Sequence, residues 1–248
     1  MAGTNSVTKG CAARLRRVAL LLFLAYSAAW GQTVECPPGC SPGRWSNEAV
    51  DLSSVRSKAP YETRDIRVLS PDRQKTVRIV KDQWWIEIAG VRISPGTKKS
   101  SIFYPAESAW APNSRALYIT EGSGFTTGYR VRIYRLENYK LRTEHDVNDT
   151  VQRDFERRHK CFEGQLPNIA GVHWMDDSQH LLIVAEEPPV GICPDMDYFG
   201  GYLISVGDGQ IVERYSPEAM EDRWKDVLGY RLKGEFDQLS AARRAAEP

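Results

Sequence analysis

Two stretches hold most of the residues that could do chemistry in this sequence: EGSGFTTG, which starts at Glu121, and AEEPPVGICPDMDYFGG, which starts at Ala185. EGSGF is one residue too tight to match the G-x-S-x-G turn that exposes the serine nucleophile of hydrolases. Asp195 and Asp197, followed by glycine, are similar to the start of a calcium loop, but the third carboxylate and the closing glutamate are missing. Because H-E-x-x-H, P-loop and dinucleotide motifs are also missing, the sequence assigns no catalytic residue, no cofactor and no metal ion.

The histidines do not share a metal-ligand spacing. They are His145, His159, His173 and His180. His173 and His180 flank an alternating apolar stretch, so half-exposed positions on a sheet explain them better than a metal site does.

The first 31 residues have the layout of a secretory signal peptide. Four basic residues and no acidic residue accompany an apolar run from Val18 to Trp30, which is shorter than the roughly 20 residues that a membrane-spanning helix needs. We expect cleavage after Gly31 and export to the periplasm or the extracellular space, without a permanent membrane anchor. Cleavage leaves 29 basic and 32 acidic side chains, a net charge of about −3, which disfavours nucleic acid as a partner.

Cleavage also leaves an even number of cysteines, Cys36, Cys40, Cys161 and Cys193. In an exported chain this favours disulfides, for which three pairings exist. We predict the pairs Cys36–Cys40 and Cys161–Cys193, because each joins the nearest neighbours in sequence. The C-x3-C spacing of the first pair disfavours a redox or zinc site, since those motifs use C-x2-C.

One pattern occurs twice, as WAPNSRALYIT from Trp110 and as WMDDSQHLLIV from Trp174. A tryptophan is followed by a polar turn and then by alternating apolar residues, which predicts a hairpin whose second strand is half-buried. In the first copy Leu117 and Ile119 would face one way, and Tyr118 the other. Further alternating strands follow each copy, so each unit is predicted to contain four antiparallel strands.

The second unit ends in YLISVGDGQIVERY, where Asp208-Gly209 is typical of a two-residue hairpin turn. A fainter third copy, IRVLSPDRQKTVRIV, lies upstream at 66–80. It lacks the tryptophan, and its turn is predicted to be one residue longer. Four-stranded units that recur along a chain are typical of β-propeller blades.

The turn sequences SPDR, WAPNS and WMDDS resemble the W-S-P-D-G signature of the TolB-type, WD40-like propeller repeat. This resemblance covers residues 66–215 and implies an all-β fold, a β-propeller-like array of four-stranded antiparallel blades with one or two accessory helices. It also implies a binding role. The glycine of the signature is replaced by Arg73, Ser114 and Ser178, which leaves the turn geometry open.

The predicted organisation is a signal peptide (1–31), a Cys/Pro-rich segment (32–62), a propeller-like β domain (63–215) and a C-terminal helix and tail (216–248). Three blades are too few for a closed ring, since propellers have about four to eight. Either residues 33–65 supply a degenerate fourth blade or the blades form an open stack whose ends are covered by helices; weak strand alternation in 33–65 favours the open stack. Helices are predicted from Asn148 to Lys160 and from Ser216 to Gly229.

Long loops on a rigid scaffold often carry function. The connections at 121–128, 144–162 and 186–201 are expected to crowd one rim of the array. We expect the binding residues there to be Glu121, Phe125, Tyr129, Glu187, Asp195, Asp197 and Tyr198. Solvated loops with one disulfide fit the same pattern.

The leading hypothesis is a non-enzymatic, secreted or periplasmic module that binds a protein or peptide through this rim. A secreted hydrolase or lyase that uses the acidic loop residues, with or without a metal ion, is the alternative. A purely structural envelope component is a third reading.

Overall fold

The structure is a computed structural model that describes residues 41–52, 65–80, 83–96, 102, 105–122, 128–143, 146–159, 166–188 and 198–234. Within these ranges the chain is mostly strand, with two complete helices and a further helical stretch at 230–234. The strands are β1 (Val50–Asp51), β2 (Asp65–Leu69), β3 (Lys75–Val80), β4 (Gln83–Ile88), β5 (Val91–Ile93), β6 (Ala106–Trp110), β7 (Ala116–Gly122), β8 (Tyr129–Glu137), β9 (Lys140–Thr143), β10 (Asn168–Trp174), β11 (His180–Glu186), β12 (Phe199–Ser205) and β13 (Gln210–Tyr215). The helices are α1 (Val147–Arg158) and α2 (Pro217–Trp224).

The described strands form three antiparallel sheets. We call β2-β3-β4-β5 blade 1, β6-β7-β8-β9 blade 2 and β10-β11-β12-β13 blade 3; the short β1 pairs with β6 at the inner edge of blade 2. Each blade follows chain order, as consecutive hairpins require. The predicted all-β, propeller-like fold is confirmed, and the faint upstream copy is a complete blade.

The three signature turns have the same length. The residue after the tryptophan position donates its backbone N–H to a carbonyl five residues later in every blade: Ser70 to Lys75 (2.9 Å), Ala111 to Ala116 (2.8 Å) and Met175 to His180 (3.0 Å). Leu69 therefore occupies the tryptophan position of blade 1, opposite Thr76. The prediction of a longer turn in that blade was wrong.

The residues at the glycine position of the W-S-P-D-G pattern share one backbone conformation in all three blades. Arg73, Ser114 and Ser178 all adopt the left-handed conformation, with φ of 57°, 59° and 56°. This conformation costs a residue with a side chain about 1–2 kcal/mol. The backbone of the repeat is therefore kept, and other contacts must offset the strain.

The other short turns differ from the sequence prediction. Asp208 and Gly209 do join β12 to β13, but the connection has four residues, 206–209, between the paired Ser205 and Gln210. Two-residue turns occur instead at 89–90 and 138–139, where both residues have positive φ. Tyr139 carries no turn signal of the Asn-Gly kind, so sequence patterning overlooked this hairpin.

The second strands of blades 2 and 3, β7 and β11, are buried on both faces. All seven residues of β7 are buried, as are six of seven in β11, so the prediction of half-buried strands was wrong. Leu117 and Ile119 pack against blade 1, whereas Tyr118 on the opposite face packs against blade 3. The reason is that blade 2 lies between blades 1 and 3, and that blade 3 lies between blade 2 and the segments that cover its outer face.

The two ends of the stack are finished differently. On blade 1 the face turned away from blade 2 is polar, where Arg78 pairs with Asp65 (2.6 Å) and Glu87 (2.9 Å) and remains about 30% exposed. On blade 3 the outer face is apolar and is covered by Trp45, Met220, Leu228 and Leu232. The described blades thus form an open stack with a helical cap on one end.

Helix α1 lies between the outer strands of blades 2 and 3. Asp146 caps its first turn by accepting from the backbone N–H of Asn148, so the helix starts one residue earlier than predicted. The amide of Asn148 accepts from the Val131 N–H (3.0 Å) and donates to the Val131 carbonyl (2.8 Å), and thereby continues the sheet hydrogen bonding of β8. Val151 and Phe155 fill the core between the blades.

Helix α2 begins as predicted, with Ser216 as cap and Pro217 in the first turn, but it ends at Trp224. Gly229 is not the helix stop. It is required because a Cβ there would lie 2.3 Å from the Arg44 carbonyl oxygen. The Gly229 N–H donates to the Trp45 carbonyl (2.8 Å), so the two ends of the described chain meet at this point.

Residues 41–52, within the 33–65 stretch whose weak strand alternation favoured an open stack over a degenerate fourth blade, join blades 2 and 3 at their inner edges. β1 pairs with β6 of blade 2, and the Ser46 hydroxyl donates to the Val172 carbonyl of blade 3 (2.5 Å). This segment acts as a strap across the inside of the stack.

Candidate functional site

The blades have a turn edge, where the turns at 71–74, 112–115 and 176–179 lie, and an opposite loop edge. At the loop edge β7 ends and β8 begins in blade 2, and β11 ends and β12 begins in blade 3. The Tyr129 N–H donates to the Asn168 side chain (3.1 Å), which ties the loop edges of these two blades together. The connections at 121–128 and 186–201 therefore emerge side by side.

Two of the predicted binding residues are buried at this edge. Glu121 is 9% exposed and accepts from Arg132 at 2.6 Å. Glu187 is 1% exposed, and its N–H donates to the Tyr198 carbonyl (2.8 Å). In this conformation neither carboxylate lies on the surface of the rim.

Tyr198 packs on helix α1 as part of an aromatic stack. Its ring centroid lies 4.0 Å from that of His159 and 6.1 Å from that of Phe155. Phe125, Asp195 and Asp197 lie outside the described residues, as do Cys36, Cys40, Cys161, Cys193 and His145. Their proposed roles stay predictions.

Tyr129 belongs to a partly exposed group that we call the Arg44 cluster, formed by Arg44, Tyr129 and Tyr230. The Arg44 guanidinium donates to both phenol oxygens, from Nη1 to Tyr129 and from Nε to Tyr230 (3.3 Å). Tyr230 is 58% exposed. Burial raises the pKa of the Tyr129 phenol, so its hydroxyl keeps its proton at neutral pH.

A buried ion pair supports the Arg44 cluster from below. Glu186 is fully buried at the end of β11 and accepts from Arg231 Nε (2.8 Å) and Nη2 (2.7 Å). The Asn168 amide donates to the same carboxylate (2.7 Å). Trp45 lies between this ion pair and the Arg44 cluster. The Arg231 guanidinium is 5.1 Å from the centre of its ring, and the Tyr129 ring lies edge to face at 5.2 Å.

One further acid lies deep under the strap. Glu107 of β6 is 2% exposed, and its Oε2 accepts from the Trp45 N–H (3.0 Å), whereas Oε1 has no partner among the described residues. Burial raises the pKa of Glu107 from 4.5 to about 8, against the effect of the backbone donors. The side chain is therefore a neutral carboxylic acid at neutral pH.

Two of the described histidines, His173 and His180, each pair with an acid, whereas His159 stacks on Tyr198. His173 lies 2.6 Å from Glu48, and His180 lies 2.5 Å from Asp177. Among the described residues, no three His, Cys, Asp or Glu side chains are grouped as metal ligands would be.

The Arg44 cluster at the loop edge offers hydrogen-bond donation, because a phenol oxygen that accepts from arginine can still donate its own hydrogen.

Sequence reasoning overlooked Arg44, Asn168, Glu186, Tyr230 and Arg231. Glu186 gave the best available signal, since it follows the apolar run LLIVA, where an acid must be either paired or at the strand end. Arg44 and Tyr230 gave none, because they are 186 positions apart and only the fold joins them.

No family model matches the sequence, and no curated protein matches it. Among solved structures, the acylaminoacyl peptidase of Pyrococcus horikoshii is similar, with 12% sequence identity and a TM-score of 0.33 over 75% of this chain. The matched part of this chain spans 26% of that peptidase chain.

A search for membrane spans in the described part of the chain found no helix that is long and apolar enough to cross a bilayer.

Proposed function

We propose that this chain is an exported, TolB-type propeller-like module that recognises a protein or peptide through its loop edge. The Arg44 cluster is the observation that carries this proposal. It is a partly exposed cation flanked by two phenols, and it stands beside the two longest blade connections.

The cluster is suited to an acceptor group on a partner, such as a carboxylate or a carbonyl. Both phenol oxygens already accept from Arg44, so their hydrogens can be donated outward. The buried Arg231–Glu186 pair and Trp45 hold the strap and the C-terminal segment in place, so little side-chain entropy is lost on binding. Tyrosine and arginine are also enriched where interfaces are strongest.

The test is quantitative recovery of a partner from the native cell envelope. Tagged protein is cross-linked in the envelope, and the stoichiometric partner is quantified by mass spectrometry for the wild type and for Tyr129→Phe/Tyr230→Phe. We expect a loss of tenfold or more, because two hydrogen bonds of about 1 kcal/mol each are removed while both rings remain. Tyr139→Phe is the matched control, since Tyr139 is 66% exposed at the turn edge.

Equal recovery with the double variant, or absence of a stoichiometric partner, would contradict recognition through the Arg44 cluster. If the wild-type protein had hydrolase activity and the Asp195→Asn/Asp197→Asn variant lacked it, the enzymatic alternative would be favoured.

Export has a separate test. N-terminal sequencing of the protein from the native cells is expected to begin at Gln32, in the periplasmic or the culture fraction. Full-length protein retaining residues 1–31 in the cytosol would refute it.

A further inference from the structure

A polar groove separates α1 from the outer edge of β13. Its volume is about 560 Å³. The helix contributes Thr150, Arg153 and Arg157 to the lining, and the strand contributes Gln210, Ile211 and Arg214. The groove shares no residue, helix or strand with the Arg44 cluster, so an inference about it does not depend on the function proposed above.

The charge of the groove is positive. Asp154 lies beneath it with 5% of its side chain exposed, and accepts from Arg157 (2.9 Å), Arg158 (2.9 Å) and Arg214 (2.9 and 3.0 Å). The single negative charge of Asp154 therefore neutralises only one of the three positive charges that these arginines carry. Arg153 adds a further charge on the same side of the helix, with Glu156 as the acid in the lining.

Asp154 also fixes the wall of the groove. Because its buried carboxylate receives two hydrogen bonds from the single guanidinium of Arg214, that side chain is held against α1. The side chain of Arg157 is 74% exposed, so most of its surface faces solvent and is open to a ligand.

β13 is the last strand of blade 3, and no described strand pairs with its outer edge. Val212 in this strand is 54% exposed. The backbone N–H and C=O groups at such an edge are a template for an added strand. We propose that the groove binds an extended acidic peptide segment of a partner protein, which adds as a strand to β13 and places its carboxylates against Arg153 and Arg157.

The probe is a fluorescein-labelled octapeptide of alternating glutamate and valine, followed by fluorescence anisotropy with the full chain. We expect saturable binding that weakens with added salt, and no binding of the matched lysine-valine peptide. Arg153→Glu, and separately Arg153→Gln/Arg157→Gln, should weaken binding tenfold or more. Arg142→Glu on β9 is the control, since the Arg142 side chain is 71% exposed outside the groove and its loss should change nothing.

A second probe tests the strand addition. The same acidic peptide with two central prolines cannot pair along the edge, and is expected to bind at least tenfold more weakly. Equal binding of the proline peptide would overturn the strand addition. No saturable binding of the first peptide, an equal loss in Arg142→Glu, or tighter binding of a single-stranded oligonucleotide would overturn the acidic-peptide site.

Discussion

The Ser178 hydroxyl of blade 3 accepts a hydrogen bond at 3.0 Å from the backbone N–H of Asn113 in blade 2. One blade earlier, Ser114 makes the same bond to the Asp72 N–H at 3.0 Å. Both serines stand where the repeat signature has glycine, and both have positive φ. The inter-blade hydrogen bond therefore offsets the backbone strain of a side chain at this position.

Replacing Ser178 should separate the contribution of the inter-blade hydrogen bond to stability from the cost of the left-handed backbone conformation. Ser178→Ala keeps the strained conformation and leaves the Asn113 N–H without its partner, so we expect about 1–2 kcal/mol of destabilisation in urea unfolding. Ser178→Gly also loses the bond but removes left-handed strain of about 1–2 kcal/mol, so it should cost less than the alanine variant. An alanine variant as stable as the glycine variant would argue against this account.

The tryptophan of the repeat bonds across blades too. Trp110 Nε1 donates to the Val68 carbonyl (3.1 Å), and Trp174 Nε1 donates to the equivalent Ala109 carbonyl (3.4 Å). Trp110→Phe should therefore cost about 1–2 kcal/mol beyond the loss of ring volume, because a buried carbonyl loses its donor.

Trp84→Phe is the control for that measurement. Trp84 is as buried as Trp110 and lies in the same core cluster, but its Nε1 has no partner among the described residues. Urea unfolding of both variants is expected to show the larger loss for Trp110→Phe. If Trp84→Phe were the more damaging, the cross-blade bond would contribute little to stability.

Glu107 should make the protein less stable as pH rises. Its pKa is about 8 when folded and 4.5 in its ordinary state, so between these values the folded state holds a proton that the unfolded state has lost. The free energy of unfolding therefore falls with rising pH, by up to about 1.4 kcal/mol per pH unit from this group. In urea unfolding from pH 5 to pH 8, Glu107→Gln should flatten this slope; an unchanged slope would show that Glu107 is ionised in the fold.

Gly229 should be intolerant of any side chain. A Cβ at this position would lie 2.3 Å from the Arg44 carbonyl oxygen and 2.6 Å from the Trp45 carbonyl carbon, and backbone atoms cannot easily move away. We expect Gly229→Ala to cost more than about 2 kcal/mol and to speed amide exchange in the strap. Gly207→Ala is the control, since nothing lies within 4 Å of a Cβ there, and it should be close to neutral.

The disulfide between Cys161 and Cys193 stays a prediction, since both cysteines lie outside the described residues. His159 and Tyr198, whose rings stack at 4.0 Å, lie two residues before the first cysteine and five residues after the second. That spacing is within chain reach, since a residue spans at most about 3.6 Å. Non-reducing peptide mapping of the protein purified from its native cells should find this linkage, and a Cys36–Cys161 linkage would refute it.

Much of the fold was predictable because its signals are local. The alternation in residues 116–120 and 180–184, the polar turns that precede them, and the Ser216-Pro217 helix start all act between near neighbours in sequence. The degree of burial was not predictable in the same way. An alternating pattern predicts one covered face, and only the stacking of a second blade covers the other.

By itself the sequence determined the strand units, the polar turns that follow Trp110 and Trp174, and the resemblance between the blades, since each of these is set within about a dozen residues. Only the tertiary structure decided the candidate site. Trp45 meets Glu107 across 62 positions, and Arg44 meets Tyr230 across 186. No periodicity can specify such pairs, because they depend on how the strap and the C-terminal segment lie against the stacked blades.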